Sequence, residues 1–237
     1  MLLASRETAL WGENCWIVAP APGGPAVAID PGLGATEVVG QFCQQNQLTL
    51  TAVLASHGHI DHVADAALLA DRWQAPLWIH PADRELLSNP MLGLDPPAQA
   101  LFVEFTGGTT LAEPRQVAEL DDGQVLELAG LSFSVIHVPG HRPGCVVFRV
   151  AFEGVTLAFT GDFLFAGSIG RTDLPGGSMK QMVASLRRIL GWTGEPGEPL
   201  DLPDDTIVLP GHGPRTTMAV ERSSNPFLQT DFLEAQV

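Results

Sequence analysis

Short apolar runs bounded by glycine and proline recur along most of the chain, and stretches with helical spacing lie between several of them. Cys15–Ala19 and Ala26–Asp30 read as two strands joined by the Pro- and Gly-rich turn Pro20–Pro25, which makes a hairpin. Thr36 is placed to cap a helix running to Gln45, with Val38, Val39 and Phe42 on one stripe. The apolar run Leu50–Ala55 then ends at Ser56 and His57. A helix over Ala64–Trp73, a strand at Leu77–Ile79 and a short helix over Ala82–Leu87 behind Pro81 continue the alternation.

Ser88–Pro114 is rich in Pro and Gly and weakly periodic, and it predicts a surface excursion with one short strand near Leu101–Phe105. Shaping a substrate cleft is its functional reading. From Val125 onward β patterns return as Val125–Leu128, Leu131–Val138, Cys145–Phe152 and Val155–Phe159, and the turns Ala129-Gly130 and Glu153-Gly154 predict a meander. Met179–Leu190 is amphipathic, with Met182, Val183, Leu186, Ile189 and Leu190 on its apolar face, and a polar loop leads on to the strand Ile207–Leu209. The tail Phe227–Val237 reads as a closing helix or a frayed end. Strands followed by helix in both halves predict two sheets packed face to face with helices outside.

Composition narrows the function. With 45% hydrophobic residues and 16% charged ones the chain has material for a large core. Twelve Lys plus Arg stand against 27 Asp plus Glu, a formal charge of −15. Such a field repels nucleic acid and anionic membranes, and no basic run reverses it locally. No apolar run reaches the roughly 18 residues of a membrane span. Cys15, Cys43 and Cys145 are far apart and read as small core residues in a reducing compartment. The opening Met1–Glu7 meets charge too early for a signal peptide, so the expected location is cytoplasmic.

The chemistry concentrates in Ser56-His57-Gly58-His59-Ile60-Asp61-His62, between an apolar strand and a helix. Packing does not call for four potential ligands so close together, and the intervening glycine permits tight backbone geometry. Three further candidates repeat one arrangement, each past a strand end and beside glycine: His141 in Pro139-Gly140-His141, Asp162 in Thr160-Gly161-Asp162, and His212 in Pro210-Gly211-His212. Five of the seven histidines then converge with two aspartates. Nitrogen and carboxylate donors without a cysteine cluster suit zinc, iron or manganese. A carboxylate bridges two cations readily, which makes Asp162 the natural shared ligand and leaves three histidines for one ion and a His, His, Asp set for the other. Water held between two cations loses a proton near neutral pH and becomes a nucleophile, so two divalent ions, zinc foremost, are the expected cofactors.

At these residues the sequence resembles the metallo-beta-lactamase superfamily, whose HxHxDH signature is met by His57, His59, Asp61 and His62. The resemblance implies one αββα four-layer sandwich domain over residues 1–237, with two mixed sheets face to face and helices outside. It also implies one metal site from His57, His59 and His141, a second from Asp61, His62 and His212, and Asp162 bridging, with Asp61 and Asp162 as catalytic residues. Gly161–Leu174 followed by Pro175-Gly176-Gly177, and the ending Glu221–Phe227, resemble the glyoxalase II branch in its short bacterial form, without the C-terminal helical domain. That branch implies hydrolysis of S-D-lactoylglutathione, or a similar small-molecule thioester, by a metal-bound hydroxide. A thiolate leaving group, whose thiol pKa is near 8.5, needs little help from a general acid. The chain has no tyrosine and one lysine, so the usual glutathione grip of that branch is not carried over. The expected state is a monomer or small homo-oligomer with no nucleic-acid or membrane partner.

Gly170-Arg171-Thr172-Asp173 also resembles a glutathione persulfide dioxygenase, in which a single iron sits on His57, His141 and Asp162. Lactone and beta-lactam hydrolysis share the ligands. Asp30, at a strand end before Pro31-Gly32, is expected to orient a ligand histidine, to brace the ligand loop, or simply to cap its strand. Arg171 and Asp173 are expected to form a buried ion pair that sets their loop, with contact between Arg171 and a substrate carboxylate as the alternative. His80 and His137 read as packing or surface histidines, and Phe163 and Phe165 as candidates to line the cleft.

Overall fold

The computed structural model describes residues 1–9, 11–108, 110–192 and 200–235. Its first sheet has the order β1 (Leu2–Glu7), β2 (Asn14–Ala19), β3 (Pro25–Ile29), β4 (Thr49–Leu54), β5 (Leu77–Ile79), β6 (Val117–Glu119). The β1–β2 and β2–β3 pairs are antiparallel, and the remaining pairs are parallel. In the second sheet the meander β7 (Val125–Leu128), β8 (Leu131–His137), β9 (Val146–Phe152), β10 (Val155–Gly161) is antiparallel, as the two hairpin turns predict. A ribbon of β11 (Leu164–Phe165) and β12 (Ser168–Ile169) follows. β13 (Ile207–Pro210) then returns parallel to β10 and carries β14 (Thr216–Thr217) on its free edge. Both sheets are therefore mixed.

Helices cover the outer faces: α1 (Ala35–Asn46), α2 (Ile60–Val63) and α3 (Ala66–Trp73) belong to the first half, and α4 (Pro96–Thr106) follows the first five strands. α5 (Met179–Ile189), α6 (Met218–Ser224) and α7 (Thr230–Ala235) belong to the second. Side-chain alternation along each strand explains the layering. On β2, Cys15, Ile17 and Ala19 pack toward α1 and α3, whereas Trp16 and Val18 point into the space between the sheets. On β9, Val146, Phe148 and Val150 enter the same inter-sheet core, and Val147 faces α5. With both faces covered, the strands read as continuous apolar runs. The result is an αββα sandwich with one apolar core between the sheets and one under each helical layer.

Three sequence expectations need correction. The segment Ser88–Pro114 holds the helix α4 where a short strand is predicted, because Asp95 accepts from the Ala98 amide as N-cap and Pro96 and Pro97 occupy the first turn, where a missing N–H does no harm. The cap of α1 is Gly34 and not Thr36, and the Thr36 amide is satisfied from a distance by Asp65 Oδ2 at 2.9 Å. The strand β1 lies in a segment for which no element is predicted. The tail does close on a helix, α7, although its last two residues lie outside the described ones, as does part of the polar loop before β13. Cys15, Cys43 and Cys145 are buried free thiols. Among the described residues no helix is long and apolar enough to cross a membrane.

Candidate metal centre

The singled-out ligand candidates gather at strand ends on one rim of the sandwich, in loops or on the first turn of α2. β4 ends at Leu54 and leads into the loop that carries His57 and His59, and α2 starts immediately after His59, so Asp61 and His62 ride on its first turn. His141 lies in the β8–β9 connection, Asp162 follows β10, and His212 follows β13. The loops are tied to each other by backbone hydrogen bonds: the Val146 amide donates to the Ser56 carbonyl at 2.8 Å, and the Gly211 amide to the Gly161 carbonyl at 2.8 Å. β2 of the first sheet clasps the His212 loop of the second, with the Asn14 amide on the Gly211 carbonyl at 2.7 Å and the Trp16 indole on the Pro210 carbonyl at 3.1 Å.

Two glycines are required by close approach. A Cβ on Gly58 would come within 2.8 Å of the Asp83 carbonyl oxygen, and a Cβ on Gly211 would lie 2.5 Å from both Asp162 Oδ1 and His62 Cε1. Any side chain there would push the cluster apart.

The seven side chains converge into overlapping triads. Donor atoms of His57, His59 and His141 lie within 4.8 Å of one another, as do those of Asp61, His62 and His212, and Asp162 joins His57 and His62 in a third group. His59 Nδ1 and His141 Nε2 are 2.8 Å apart, His212 Nε2 is 3.1 Å from Asp61 Oδ2, and Asp162 Oδ1 lies 3.2 Å from His62 Nε2 and 3.6 Å from His212 Nε2. Asp162 Oδ2 faces the other way, 3.6 Å from His141 Nε2. One carboxylate thus reaches both halves of the cluster. The geometry provides a site for two metal ions.

The donors fit such ions. His57 Nε2 and His59 Nε2 are buried without hydrogen-bond partners, and each such orphan costs about 1–3 kcal/mol unless something binds it. Burial, followed by the neighbouring histidines, holds His57 and His59 well below the ordinary imidazole pKa, and burial lowers His141 too. Their lone pairs are free at neutral pH, as metal ligation requires. Burial also works against a charge on His62 and His212, but Asp162, Asp61 and Asp30 outweigh it at His62, and Asp61 and Asp162 at His212, so both are raised. Asp162 stays ionised because His62 and its neighbours overcome the penalty of burial.

Outer contacts aim these rings. His141 Nδ1 donates to the Arg171 carbonyl at 2.7 Å, which leaves Nε2 for the cluster. Ser56 Oγ donates to Asp30 Oδ2 at 2.7 Å and accepts from His57 Nδ1 at 3.1 Å. Asp30 also takes the Ser56 amide at 2.6 Å and lies 3.1 Å from His62 Nδ1, so it both braces the loop and faces a histidine. Glu13, fully buried, stands 4.0 Å from the same nitrogen, and burial pushes its carboxyl well up.

Asp83 is the main residue that sequence reasoning missed. It is buried at the start of the 3-10 turn Pro81–Leu87 and accepts from the Gly58 amide at 2.9 Å, the Gly144 amide at 3.1 Å and the Arg142 guanidinium at 3.4 Å. It therefore couples the His57–His59 loop to the His141 loop. The single available signal was an acid two residues after Pro81, at the start of a short predicted helix. Glu13 carried none.

A cleft of about 650 Å³ opens over the cluster. Phe165 lines it, but Phe163 is buried in the core under α5, contrary to expectation. Arg171 and Asp173 do pair, at 2.7 and 2.8 Å, yet the pair is exposed and not buried. The hydrogen bonds from Arg171 hold the Asp173 carboxyl down at about 2. His80 and His137 stack at 4.2 Å, away from the cluster, as packing histidines.

Comparison with known proteins gives the same fold. The model of the metallo-beta-lactamase superfamily matches residues 9–212. Hydroxyacylglutathione hydrolase GloC of Haemophilus influenzae is 34% identical over 92% of this chain and 93% of its own. Among solved structures, the B3 metallo-beta-lactamase BLEG-1 is 31% identical with a TM-score of 0.78, covering 96% of this chain and 100% of that one. TTHA1623 in a di-iron-bound form is 35% identical with a TM-score of 0.71 and the same coverages.

Proposed function

The chain belongs to the metallo-beta-lactamase superfamily and is a metal-dependent hydrolase, and from that premise we propose that it hydrolyses acyl thioesters in the manner of glyoxalase II, releasing a carboxylic acid and a free thiol. The observation that carries this reading is the pair of overlapping donor triads at the floor of an open cleft. In this reading His57, His59 and His141 hold one ion, Asp61, His62 and His212 hold the other, and Asp162 belongs to both, within one domain spanning residues 1–237. Two divalent cations held there supply Lewis acidity toward the carbonyl oxygen and make water acidic enough to serve as a nucleophile.

The chain's own residues do the rest. Asp162 and Asp61 contribute the two carboxylates of the donor set, and Asp30, Ser56 and the Arg171 carbonyl hold the histidine rings in place. Water adds to the thioester carbonyl, the C–S bond breaks, and the sulfur leaves with its electron pair while the surplus proton goes to solvent. Among the described residues lining the cleft there is no lysine or tyrosine to protonate a poor leaving group, which favours a thiolate over an amine or alkoxide. The relative GloC, named for hydroxyacylglutathione hydrolysis, supports the same class.

A single-iron persulfide dioxygenase would leave Asp61, His62 and His212 without a role, although they form a triad of their own. Thiol release from a panel of acyl thioesters, followed with a thiol reagent alongside an oxygen electrode, tests the choice. Thiol release without oxygen uptake is expected. Oxygen uptake with a glutathione persulfide, and no thiol from any thioester, would overturn the reading.

A further inference from the structure

The walls of the cleft say more about its substrate than the cluster does. One wall is the N-terminal half of α4 and the turn before it, presenting Leu94, Pro97, Ala98 and Leu101. Trp11, on a turn with φ 57°, stands at the mouth with 43% of its surface exposed, and Leu174 comes from the loop beyond Arg171. A half-exposed indole facing a short apolar helix wall leaves apolar surface in water unless a ligand covers it.

Charge is distributed in the opposite sense. Among the described residues that line the cleft, Arg171 is the single lysine or arginine. Its guanidinium is already forked onto Asp173 at 2.7 and 2.8 Å, and Asp95 Oδ2 lies 4.0 Å away on the α4 side. A carboxylate arriving there would meet two aspartates around a cation whose charge is already paired. The two carboxylates of a glutathione arm thus meet on these walls a single cation that is already paired with an aspartate, and the chain as a whole carries −15.

We infer that the cleft selects thioesters with an aliphatic or aromatic acyl arm and an uncharged thiol arm, and discriminates against glutathione thioesters. This rests on the thioesterase reading and narrows its substrate class. The acyl chain lies along Leu94, Ala98 and Leu101, and Trp11 covers it from the other side. Each methylene buried there is worth roughly a fourfold gain in affinity.

The experiment compares binding and turnover on the same metal-loaded protein. Binding uses two non-hydrolysable thioethers, S-hexyl-N-acetylcysteamine and S-hexylglutathione, followed by tryptophan fluorescence or calorimetry. At least tenfold tighter binding of the uncharged compound is expected, and equal or reversed binding overturns the inference. Turnover compares S-hexanoyl-N-acetylcysteamine with S-D-lactoylglutathione, and a kcat/KM at least tenfold higher for the former is expected. Leu101→Glu, on the surface of α4, should weaken the hexyl compounds about tenfold without loss of fold, and no change would contradict the placement of the acyl arm. Asp173→Asn should free Arg171 and shrink the gap between the two thioethers severalfold, and an unchanged gap would contradict the part assigned to charge. Absence of turnover on both thioesters with the binding order intact counts against the thioesterase reading alone, whereas a reversed binding order counts against this inference alone.

Discussion

Asp83 shows how much of a metal centre is decided by residues that never touch an ion. Its carboxylate is the common acceptor for two ligand loops and for Arg142, all out of water. Asp83→Ala leaves two buried amides without their acceptor and a buried guanidinium without its counter-charge, and a loss of about 3 kcal/mol in unfolding free energy is expected. The same change frees the loops that hold His57, His59 and His141, so metal affinity should fall about 10- to 100-fold, the size usual for lost outer contacts. Denaturant unfolding and a competitive metal titration on the same variant check both numbers; an unchanged metal affinity would show that the loops hold themselves. The direct donors were legible because histidine, aspartate and glycine recur at strand ends with ligand spacing. Asp83, Arg142 and Glu13 were not, because a buried charge is defined by what packs around it, and that comes from distant parts of the chain.

Elements with a clean period were legible to within a residue or two: the hairpin of β2 and β3, the meander β7–β10 with its Ala129-Gly130 and Glu153-Gly154 turns, and α5. α4 was misread because its prolines lie in the first helical turn, where they help, and a composition rich in Pro and Gly conceals that placement. α5 also illustrates a contact visible only in three dimensions. Arg188 donates to both oxygens of Asp122 at 3.0 and 2.9 Å and to the His137 carbonyl, and Asp122 in turn accepts the His137 amide at 2.8 Å, so the helix is fastened to β8. Burial works against the charge on Asp122, but Arg188 and the His137 amide outweigh it and its pKa is lowered. Stability from a lowered carboxyl is present above its unfolded pKa and is lost as pH falls through the folded one. Asp122→Asn should therefore cost about 1 kcal/mol at pH 7, after screening at a partly exposed site, and the difference from the parent should shrink steadily once pH drops below the ordinary carboxyl range. Urea unfolding of both proteins from pH 7 down through the acid range is the check, and a difference that does not shrink with falling pH would contradict the assignment.

The molecule is two sheet-and-helix halves whose strand ends meet on one rim, and its chemistry depends on that meeting. His57, His59, Asp61 and His62 come from the first half, and His141, Asp162 and His212 from the second. The inter-sheet core of Trp16, Ile29, Phe133, Phe148 and Phe159 sets their separation, and the β2 clasp on the His212 loop keeps it. The alternation of apolar positions revealed the layers, and the repeated strand-end motif revealed the rim. One substrate wall was legible, since Ser88–Pro114 read as a segment that shapes the cleft and its Leu94, Pro97, Ala98 and Leu101 do line it, but its helical form was not, and the turn at Trp11 carried no motif. The central claim is that seven donors from both halves form a site for two ions. It is tested most directly by titrating zinc into the demetallated protein, with calorimetry to count the ions bound per chain. Two equivalents are expected for the parent chain and one for His212→Ala, which removes a donor from the Asp61–His62–His212 set alone. One equivalent in the parent, or two in the variant with unchanged affinity, would contradict the account.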